Sequence, residues 1–102
     1  MGKGTGMTGV IVTFSYDGDL DRTKLVAVAA EARKLFEGMP GLRNKFFTID
    51  AEGQRALNFY AWESDELAKK FFDDALLERV TGLYGVRPTV EFVEIAEIVD
   101  NT

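Results

Sequence analysis

Hydrogen-bonding side chains recur at every second position of the segment 57–62, which reads Leu-Asn-Phe-Tyr-Ala-Trp. Asn58, Tyr60 and Trp62 carry an amide, a phenol and the single indole of the chain, and the residues between them are apolar. Because successive side chains of a strand point to opposite faces, a strand here places these three groups on one face. A buried asparagine destabilises a fold unless it is hydrogen-bonded, so its position beside aromatic residues requires a partner or a ligand. The segment is therefore the candidate functional site.

The chain contains no cysteine and no histidine. The absence of cysteine excludes disulfides, thiol nucleophiles, iron–sulfur ligation and thiolate zinc sites. Without histidine, Ser/His/Asp catalysis, histidine-ligated haem and the usual transition-metal sites are excluded as well. Carboxylates, tyrosine, lysine and bound water are the groups that remain for acid–base chemistry.

The length of 102 residues fits one domain with one modest core. A net charge of −5 argues against a nucleic-acid partner, because such binding depends on clustered Lys and Arg. No apolar run approaches the roughly 18 residues of a membrane span, so we expect no membrane partner. Residues 1–8 lack the apolar core of a signal peptide. We expect them to be a flexible leader, residues 9–102 to form a single domain, and the protein to be cytoplasmic.

Hydrophobic periodicity predicts six elements joined by turns. Asp19 or Asp21 is the expected N-cap of the first helix, and Ser64 that of the second. A short polar connection containing Gly53 predicts an antiparallel hairpin of the second and third strands. Residues 81–85 are predicted to form an irregular loop. The predicted strands are residues 10–16, 44–50, 57–62 and 89–99, and the predicted helices are residues 21–37 and 64–79.

The order βαββαβ with right-handed crossovers predicts an α+β, ferredoxin-like fold. In this fold a four-stranded antiparallel sheet carries both helices on one face. Alternate residues of the predicted strands are apolar or aromatic on both sides, so the other face of the sheet would be bare in a monomer. An apolar patch of that size is usually covered by a partner. We therefore expect a homodimer packed sheet to sheet.

The chain resembles the dimeric α+β barrel superfamily that contains the antibiotic-biosynthesis mono-oxygenases, and it resembles the YdhR-like members more closely. The resemblance covers roughly residues 10–100 and consists of loose patterns of turn and packing residues. These patterns are the turn Phe14-x-Tyr16-x-Gly18-Asp19, the segment 39–43 (Met-Pro-Gly-Leu-Arg), the strand from Asn58 to Trp62 entering Glu63-Ser64-Asp65-Glu66, and the closing strand through Phe92-Val93.

In characterised cofactor-free oxygenases of this superfamily, an asparagine and a tryptophan four residues apart on one strand line a pocket between sheet and helices. Asn58 and Trp62 match that pair in type and spacing. The resemblance implies that both are catalytic: Asn58 would bind a substrate carbonyl or its enolate, and the Trp62 indole would donate to the same oxygen or to dioxygen. Fixed donors aimed at developing negative charge form an oxyanion hole. The resemblance implies no metal or flavin cofactor.

Tyr60, Phe71, Phe72 and Arg43 are candidates for substrate binding. Tyr60 lies between the catalytic pair on the same face and either lines the same cavity or packs in the core. Relatives place tyrosines on the helices, where this chain offers Phe71 and Phe72 together with Phe36. Arg43 flanks the second strand and either steers an anionic ligand or forms a surface salt bridge.

The general base is left open by the sequence. Asp50 and Glu63 are candidates by their proximity to the third strand in the pattern alone. Tyr16 and Tyr84, near strand and loop ends, are expected to make structural hydrogen bonds. Haem degradation, which relatives perform with a histidine, is excluded in a chain without one.

Two functions from different classes follow. The first is a dimeric, cofactor-independent mono-oxygenase that acts on a small aromatic or quinone-like molecule in a pocket over the third strand. The second is a non-catalytic module in which Asn58 and Trp62 pack in a core or dimer face, with a small apolar ligand or none. RNA-recognition domains share the βαββαβ order, but their third-strand pattern matches here only at Arg55 and Phe59, and the acidic charge disfavours them.

Overall fold

The computed structural model describes residues 4–101. The chain forms a four-stranded sheet and three helices, which confirms the α+β, ferredoxin-like fold predicted from the sequence. The elements are β1 (Thr8–Ser15), α1 (Arg22–Phe36), β2 (Leu42–Asp50), β3 (Arg55–Trp62), α2 (Asp65–Phe71), α3 (Asp74–Tyr84) and β4 (Thr89–Glu94).

The strands lie in the order β2-β3-β1-β4, and every neighbouring pair is antiparallel. The predicted hairpin of β2 and β3 is confirmed: Asp50 lies opposite Arg55 and forms an ion pair with it at 2.8 Å. β3 lies inside the sheet, where Asn58 is opposite Val12 of β1 and Phe47 of β2. The candidate segment is therefore fixed by hydrogen bonds on both sides.

Side chains satisfy the first backbone N–H groups of the helices where the sequence predicted it. The Asp21 side chain accepts from the N–H of Lys24 at the start of α1, so Asp21 and not Asp19 is the cap. The Ser64 hydroxyl accepts from the N–H of Leu67 at the start of α2. These bonds satisfy donors that have no partner within the helix.

The prediction of one helix over residues 64–79 is wrong, because two helices occupy this region. Phe72, with a ψ of 63°, leaves the helical conformation and ends α2. The Asp73 side chain then accepts from the N–H of Leu76 and begins α3. Apolar residues continue across this junction at helical spacing, so periodicity alone did not reveal the break.

The predicted irregular loop at residues 81–85 is also wrong, since α3 continues to Tyr84. Gly85 ends the helix in the left-handed conformation, with a φ of 84°, and its N–H donates to the carbonyl of Thr81. Glycine is the usual residue here because a Cβ atom disfavours positive φ.

Five strand ends differ from the prediction, including the start of β3 at Arg55 and the end of β1 at Ser15. β4 ends at Glu94 and not at residue 99, because Glu94 pairs with Thr8, the first residue of its only strand neighbour. β1 begins at Thr8, two residues earlier than predicted. β2 begins at Leu42, and a bulge follows it before Asn44.

The core lies between one face of the sheet and the helices, and the candidate residues belong to it. Asn58, Tyr60 and Trp62 are 4%, 4% and 2% exposed. They share this inner face with Val12 and Phe14, which are also buried. The three candidate side chains therefore face the helices, which the sequence could not decide.

The opposite face of the sheet, which we call the outer face, carries alternate residues of all four strands. Phe46 of β2 is 56% exposed and Val93 of β4 is 39% exposed on this face. The ring of Phe59 lies over Gly9, and a Cβ atom added to Gly9 would be 3.0 Å from that ring. Gly9 thus allows aromatic and aliphatic side chains to lie close together on an unpacked surface.

Part of the predicted leader, residues 1–3, lies outside the described residues. Further along it, Thr5 donates through its hydroxyl to the carbonyl of Ile95 at 2.7 Å. In the described part of the chain, no helix has the length and apolar content needed to cross a membrane.

Candidate functional site

A cavity of about 290 Å³ lies between the inner face of the sheet and the three helices. Its walls are mainly apolar and aromatic, which is typical of sites for small organic ligands. Asn58, Tyr60, Phe71 and Phe72, all predicted for the site, line it together. Other residues that line the cavity include Phe14, Phe36, Lys45, Phe47, Arg79 and Tyr84.

A hydrogen bond between Asn58 and Tyr84 forms the polar centre of the cavity. The Asn58 amide Nδ2 donates to the Tyr84 hydroxyl oxygen at 3.2 Å, and both residues are buried. Because the Tyr84 oxygen accepts this bond, its own hydrogen is left for another acceptor, and none is present among residues 4–101. The second amide hydrogen of Asn58 is likewise without an acceptor in the described residues. Two donors are therefore available beside each other.

Tyr84 is the functional residue that the sequence analysis missed as a cavity residue. Its ring stacks on Phe14 at a centroid distance of 3.7 Å, and its backbone carbonyl accepts from the Tyr16 hydroxyl at 2.9 Å. The structural hydrogen bond expected for Tyr16 is confirmed. The expectation that the helices offer no tyrosine was wrong, because α3 extends far enough to include Tyr84. The sequence signal for this longer helix was Gly85, because glycine commonly follows the last residue of a helix.

Burial sets the protonation of both cavity tyrosines. Burial raises the pKa of Tyr60, and the proximity of Tyr84 raises it further. Burial also raises the pKa of Tyr84, while the hydrogen bond from Asn58 acts in the opposite direction. Both phenols are therefore neutral near pH 7 and act as hydrogen-bond donors rather than as bases.

Aromatic rings surround Tyr60 on the helix side. Phe72 meets the Tyr60 ring edge-on at 4.9 Å between centroids, and Phe36 of α1 does so at 5.9 Å. Phe71 lies 6.2 Å from the same ring. Phe71 and Phe72 at the α2–α3 junction and Phe36 at the end of α1 thus form walls of the cavity.

Trp62 lies beside the cavity but does not line it. Its ring stacks with Tyr60 at 6.5 Å and lies 5.0 Å from Phe71. The indole Nε1 is buried and has no hydrogen-bond partner among residues 4–101. Leaving a buried donor unpaired costs about 1–3 kcal/mol. The sequence therefore identified a donor that lacks a partner in the described residues, and Phe71, which lines the cavity, packs against the Trp62 ring.

Lys45 is the second residue that the sequence analysis did not predict for the site. Its Nζ lies 3.5 Å from the ring centroid of Phe36, 4.1 Å from that of Phe47 and 4.3 Å from that of Tyr60. Burial lowers the pKa of Lys45 to about 7. The available signal was its alternation with Phe47 along β2, which places both side chains on the inner face.

Three residues considered in the sequence analysis do not line the cavity. Arg43 is exposed and lies in the bulge of β2. Asp50 is engaged at the β2–β3 turn, where hydrogen bonds from Arg55 and from the N–H of Gly53 lower its pKa. Glu63 is exposed after the end of β3. In the described part of the chain, no three acidic side chains are grouped to hold a metal ion.

The arrangement can bind a flat organic molecule and an oxygen atom attached to it. The aromatic walls supply apolar contact, and the free hydrogens of Asn58 and Tyr84 supply two donors for that oxygen. Donors held in a site that excludes water stabilise negative charge far better than donors in water. Lys45 places an amine that can gain or lose a proton near pH 7 at the cavity wall.

Comparison with known proteins gives structural likenesses only. No protein-family model matches the sequence, and no curated protein sequence matches it either. The structure of a mono-oxygenase from the gene ActVA-Orf6 of Streptomyces coelicolor, in complex with nanaomycin D, aligns with a TM-score of 0.69. The two share 24% identity, and the match covers 96% of this chain and 94% of that one.

Two further solved structures agree with this result. SnoaB, a cofactor-independent oxygenase from Streptomyces nogalater, aligns with a TM-score of 0.66 at 11% identity, over 92% of this chain and 97% of that one. A protein from Bordetella bronchiseptica, provisionally named an antibiotic-biosynthesis mono-oxygenase, aligns with a TM-score of 0.63 at 21% identity, over 92% of this chain and 99% of that one. The chain therefore shares the fold of these three proteins.

Proposed function

We propose that the protein is a cofactor-independent mono-oxygenase that acts on a small aromatic or quinone-like molecule bound in the cavity over β3. The observation that carries this proposal is the polar pair Asn58 and Tyr84 at the centre of an otherwise aromatic cavity. A cavity that only completed the core would not need a buried amide with an unused donor.

The chemistry is supplied by the substrate. An aromatic ketone or phenol that is acidic enough to form an anion can itself reduce dioxygen. For anthrone, one dioxygen gives anthraquinone and water: one oxygen atom enters the ring carbon and the other leaves as water. The protein's task is to desolvate the anion, orient it and stabilise its charge.

Asn58 and Tyr84 are proposed to hold the substrate oxygen with their two free hydrogens. The Asn58 to Tyr84 hydrogen bond polarises the Tyr84 hydroxyl and strengthens its donation to the anion. Trp62 is proposed to donate its unpaired Nε1–H to dioxygen or to the product oxygen after Phe71 moves aside. Tyr60, Phe71 and Phe72 form the walls.

The structural neighbours support this proposal by their activities. The Streptomyces coelicolor protein is a mono-oxygenase with a bound ligand, and the Streptomyces nogalater protein is a cofactor-independent oxygenase. A shared fold hosts many functions, so the cavity residues of this chain carry the argument and the neighbours add to it.

A non-catalytic module that binds a small apolar ligand is the alternative. The mainly apolar lining of the cavity favours it, because apolar contact alone suffices for binding. Under this alternative, Asn58→Ala changes affinity or stability and there is no turnover to lose.

Further proposals concern the oligomeric state, the family and the cellular location of the protein. We propose a homodimer that packs the outer faces of two sheets together, since exposed Phe46 and Val93 need cover. We also propose that the chain belongs with the YdhR-like proteins, that it is cytoplasmic, and that exposed Arg43 steers anionic ligands toward the cavity.

Oxygen consumption tests the proposed activity. Purified protein is mixed with anthrone in air-saturated buffer containing a chelator and no flavin, and dissolved oxygen is followed with an electrode. We expect consumption above the buffer rate, and a large loss of this excess in Asn58→Ala. Thr48→Ala, which lies on the outer face of β2, is the matched control and should retain it. A wild-type rate equal to that of buffer would contradict the proposal.

A further inference from the structure

Lys45 lines the cavity with a basic amine that lies over aromatic rings. Its side chain extends from β2 between Phe36 of α1 and Tyr60 of β3. No ion pair or hydrogen bond involves its Nζ among residues 4–101. A lysine is expensive to bury without a carboxylate, and surface positions are its usual place.

The groups that face Lys45 across the cavity contain no acid. β3 contributes Tyr60, and α3 contributes Tyr84 and Arg79. The lining residues of β1, of α1 and of the end of α2 with its C-cap are all apolar, namely Val12, Phe14, Ala32, Leu35, Phe36, Phe71 and Phe72. The positive charge of Lys45 therefore has no compensating negative charge in the cavity.

Two effects act on the charge of this amine in opposite directions. The faces of Phe36, Phe47 and Tyr60 attract an ammonium ion. Burial disfavours the charged form, and the pKa of Lys45 falls to about 7. Near neutral pH the amine is thus present in both its neutral and its protonated form.

The other cavity groups cannot accept a proton at this pH. Burial raises the pKa values of Tyr60 and Tyr84, so both keep their hydrogens. The guanidinium group of Arg79 offers hydrogen-bond donors and no acceptor. Asp50 and Glu63, the bases considered from the sequence, do not line the cavity.

We propose that Lys45 is the base of the site: its neutral amine takes a proton from an acidic C–H or O–H of the substrate and, as an ammonium ion, then pairs with the anion formed. This inference rests on the proposed oxygenase function and deepens it. The nitrogen lone pair forms the new N–H bond, the substrate C–H or O–H bond breaks, and its electron pair stays on the substrate. No oxidant takes part in this step.

The substrate class follows from the same geometry. A molecule must carry a weakly acidic hydrogen on or beside an aromatic ring, as phenols and anthrones do. The conjugate anion then lies between the Lys45 ammonium and the donors of Asn58 and Tyr84. A flat aromatic hydrocarbon of equal size has no acidic hydrogen and would occupy the cavity without reaction.

Proton abstraction can be measured apart from oxygenation. Anthrone is incubated with the protein in heavy water under nitrogen, and deuterium uptake at its methylene carbon is followed by NMR. General-base catalysis typically contributes about 10²–10⁴-fold, so we expect Lys45→Met to lose at least about a hundredfold of the catalysed exchange. Lys45→Arg, which keeps the charge but cannot accept a proton, should lose as much. The wild-type exchange rate should rise with pH as the Lys45 amine loses its proton.

Lys69→Met is the matched control, because Lys69 forms an exposed ion pair with Asp65 and does not line the cavity. It should exchange at the wild-type rate. Folding of each variant is checked by Trp62 fluorescence, and Lys45→Arg serves if Lys45→Met does not fold. Exchange at the wild-type rate in either folded Lys45 variant, or no catalysed exchange by wild type, would overturn the inference. Exchange without oxygen consumption would support it while contradicting the oxygenase.

Discussion

The substitution Tyr84→Phe removes one oxygen atom and leaves the Asn58 amide without its acceptor. The bond is long, at 3.2 Å, but both residues are almost fully buried, at 4% and 6% exposure. A buried polar group left unpaired costs about 1–3 kcal/mol, and the length of this bond favours the lower half of that range. We expect Tyr84→Phe to lower the free energy of unfolding by about 1.5 kcal/mol.

Urea unfolding followed by Trp62 fluorescence measures this loss. With a denaturant slope of about 1–3 kcal/mol/M for a small protein, the midpoint should fall by about 1 M. The pair can be isolated with Asn58→Leu and the double variant. Because the double variant has no unpaired amide, it should be less destabilised than the sum of the single variants by about 1 kcal/mol.

Tyr60→Phe is the matched control for this cycle. Tyr60 lies on the same strand as Asn58, and its hydroxyl has no hydrogen-bond partner among residues 4–101. Its loss should change the free energy of unfolding by less than about 0.5 kcal/mol. The reasoning is refuted if Tyr84→Phe behaves like Tyr60→Phe and the cycle with Asn58→Leu is additive.

Three further predictions concern a lysine, two glycines and the outer face. The unfolded chain holds the Lys45 proton up to its ordinary pKa near 10.5, whereas burial lowers the folded pKa to about 7. Unfolding therefore takes up a proton in this window, and stability in urea should rise from pH 7 to about 9 in wild type, with a smaller rise in Lys45→Met. Gly85→Ala should lower the free energy of unfolding by about 1 kcal/mol, because Gly85 has a φ of 84° that alanine disfavours, although there is open space around the added Cβ. Gly82→Ala, inside α3, should raise the free energy of unfolding by a similar amount. Thermal unfolding measures both changes. In sedimentation velocity, Phe46→Asp should convert the proposed dimer to monomer. Leu35 is 74% exposed on α1, away from the outer face, so Leu35→Asp should leave the dimer intact. A dimer in both variants would contradict the outer-face interface.

Much of the fold follows from local chemistry that the sequence displays. The caps Asp21 and Ser64, the β2–β3 hairpin and the alternation around Asn58 each depend on a few neighbouring residues. They were predicted because those residues determine the structure locally. The shared face of Asn58, Tyr60 and Trp62 was predicted for the same reason.

The misplaced elements depend on contacts that are distant in sequence. β4 ends where β1 begins, since Glu94 pairs with Thr8, and no residue near position 94 indicates this limit. The break after Phe72 lies in an unbroken apolar pattern. Tyr84 reaches the cavity because α3 brings it against Asn58, which is distant in sequence. Lys45 reaches the cavity through the predicted pairing of β2 with β3, and its alternation with Phe47 was the overlooked signal.

The most direct test of the proposed activity is whether the protein catalyses the transfer of oxygen from dioxygen to a bound aromatic molecule. Anthrone and isotopically heavy dioxygen are incubated with wild type and with Asn58→Ala, with a chelator present and no flavin, and the anthraquinone is analysed by mass spectrometry. The account predicts that wild type forms singly labelled anthraquinone faster than buffer, and that Asn58→Ala loses most of this excess. Equal rates for wild type, Asn58→Ala and buffer would contradict the account and favour a ligand-binding module without catalysis.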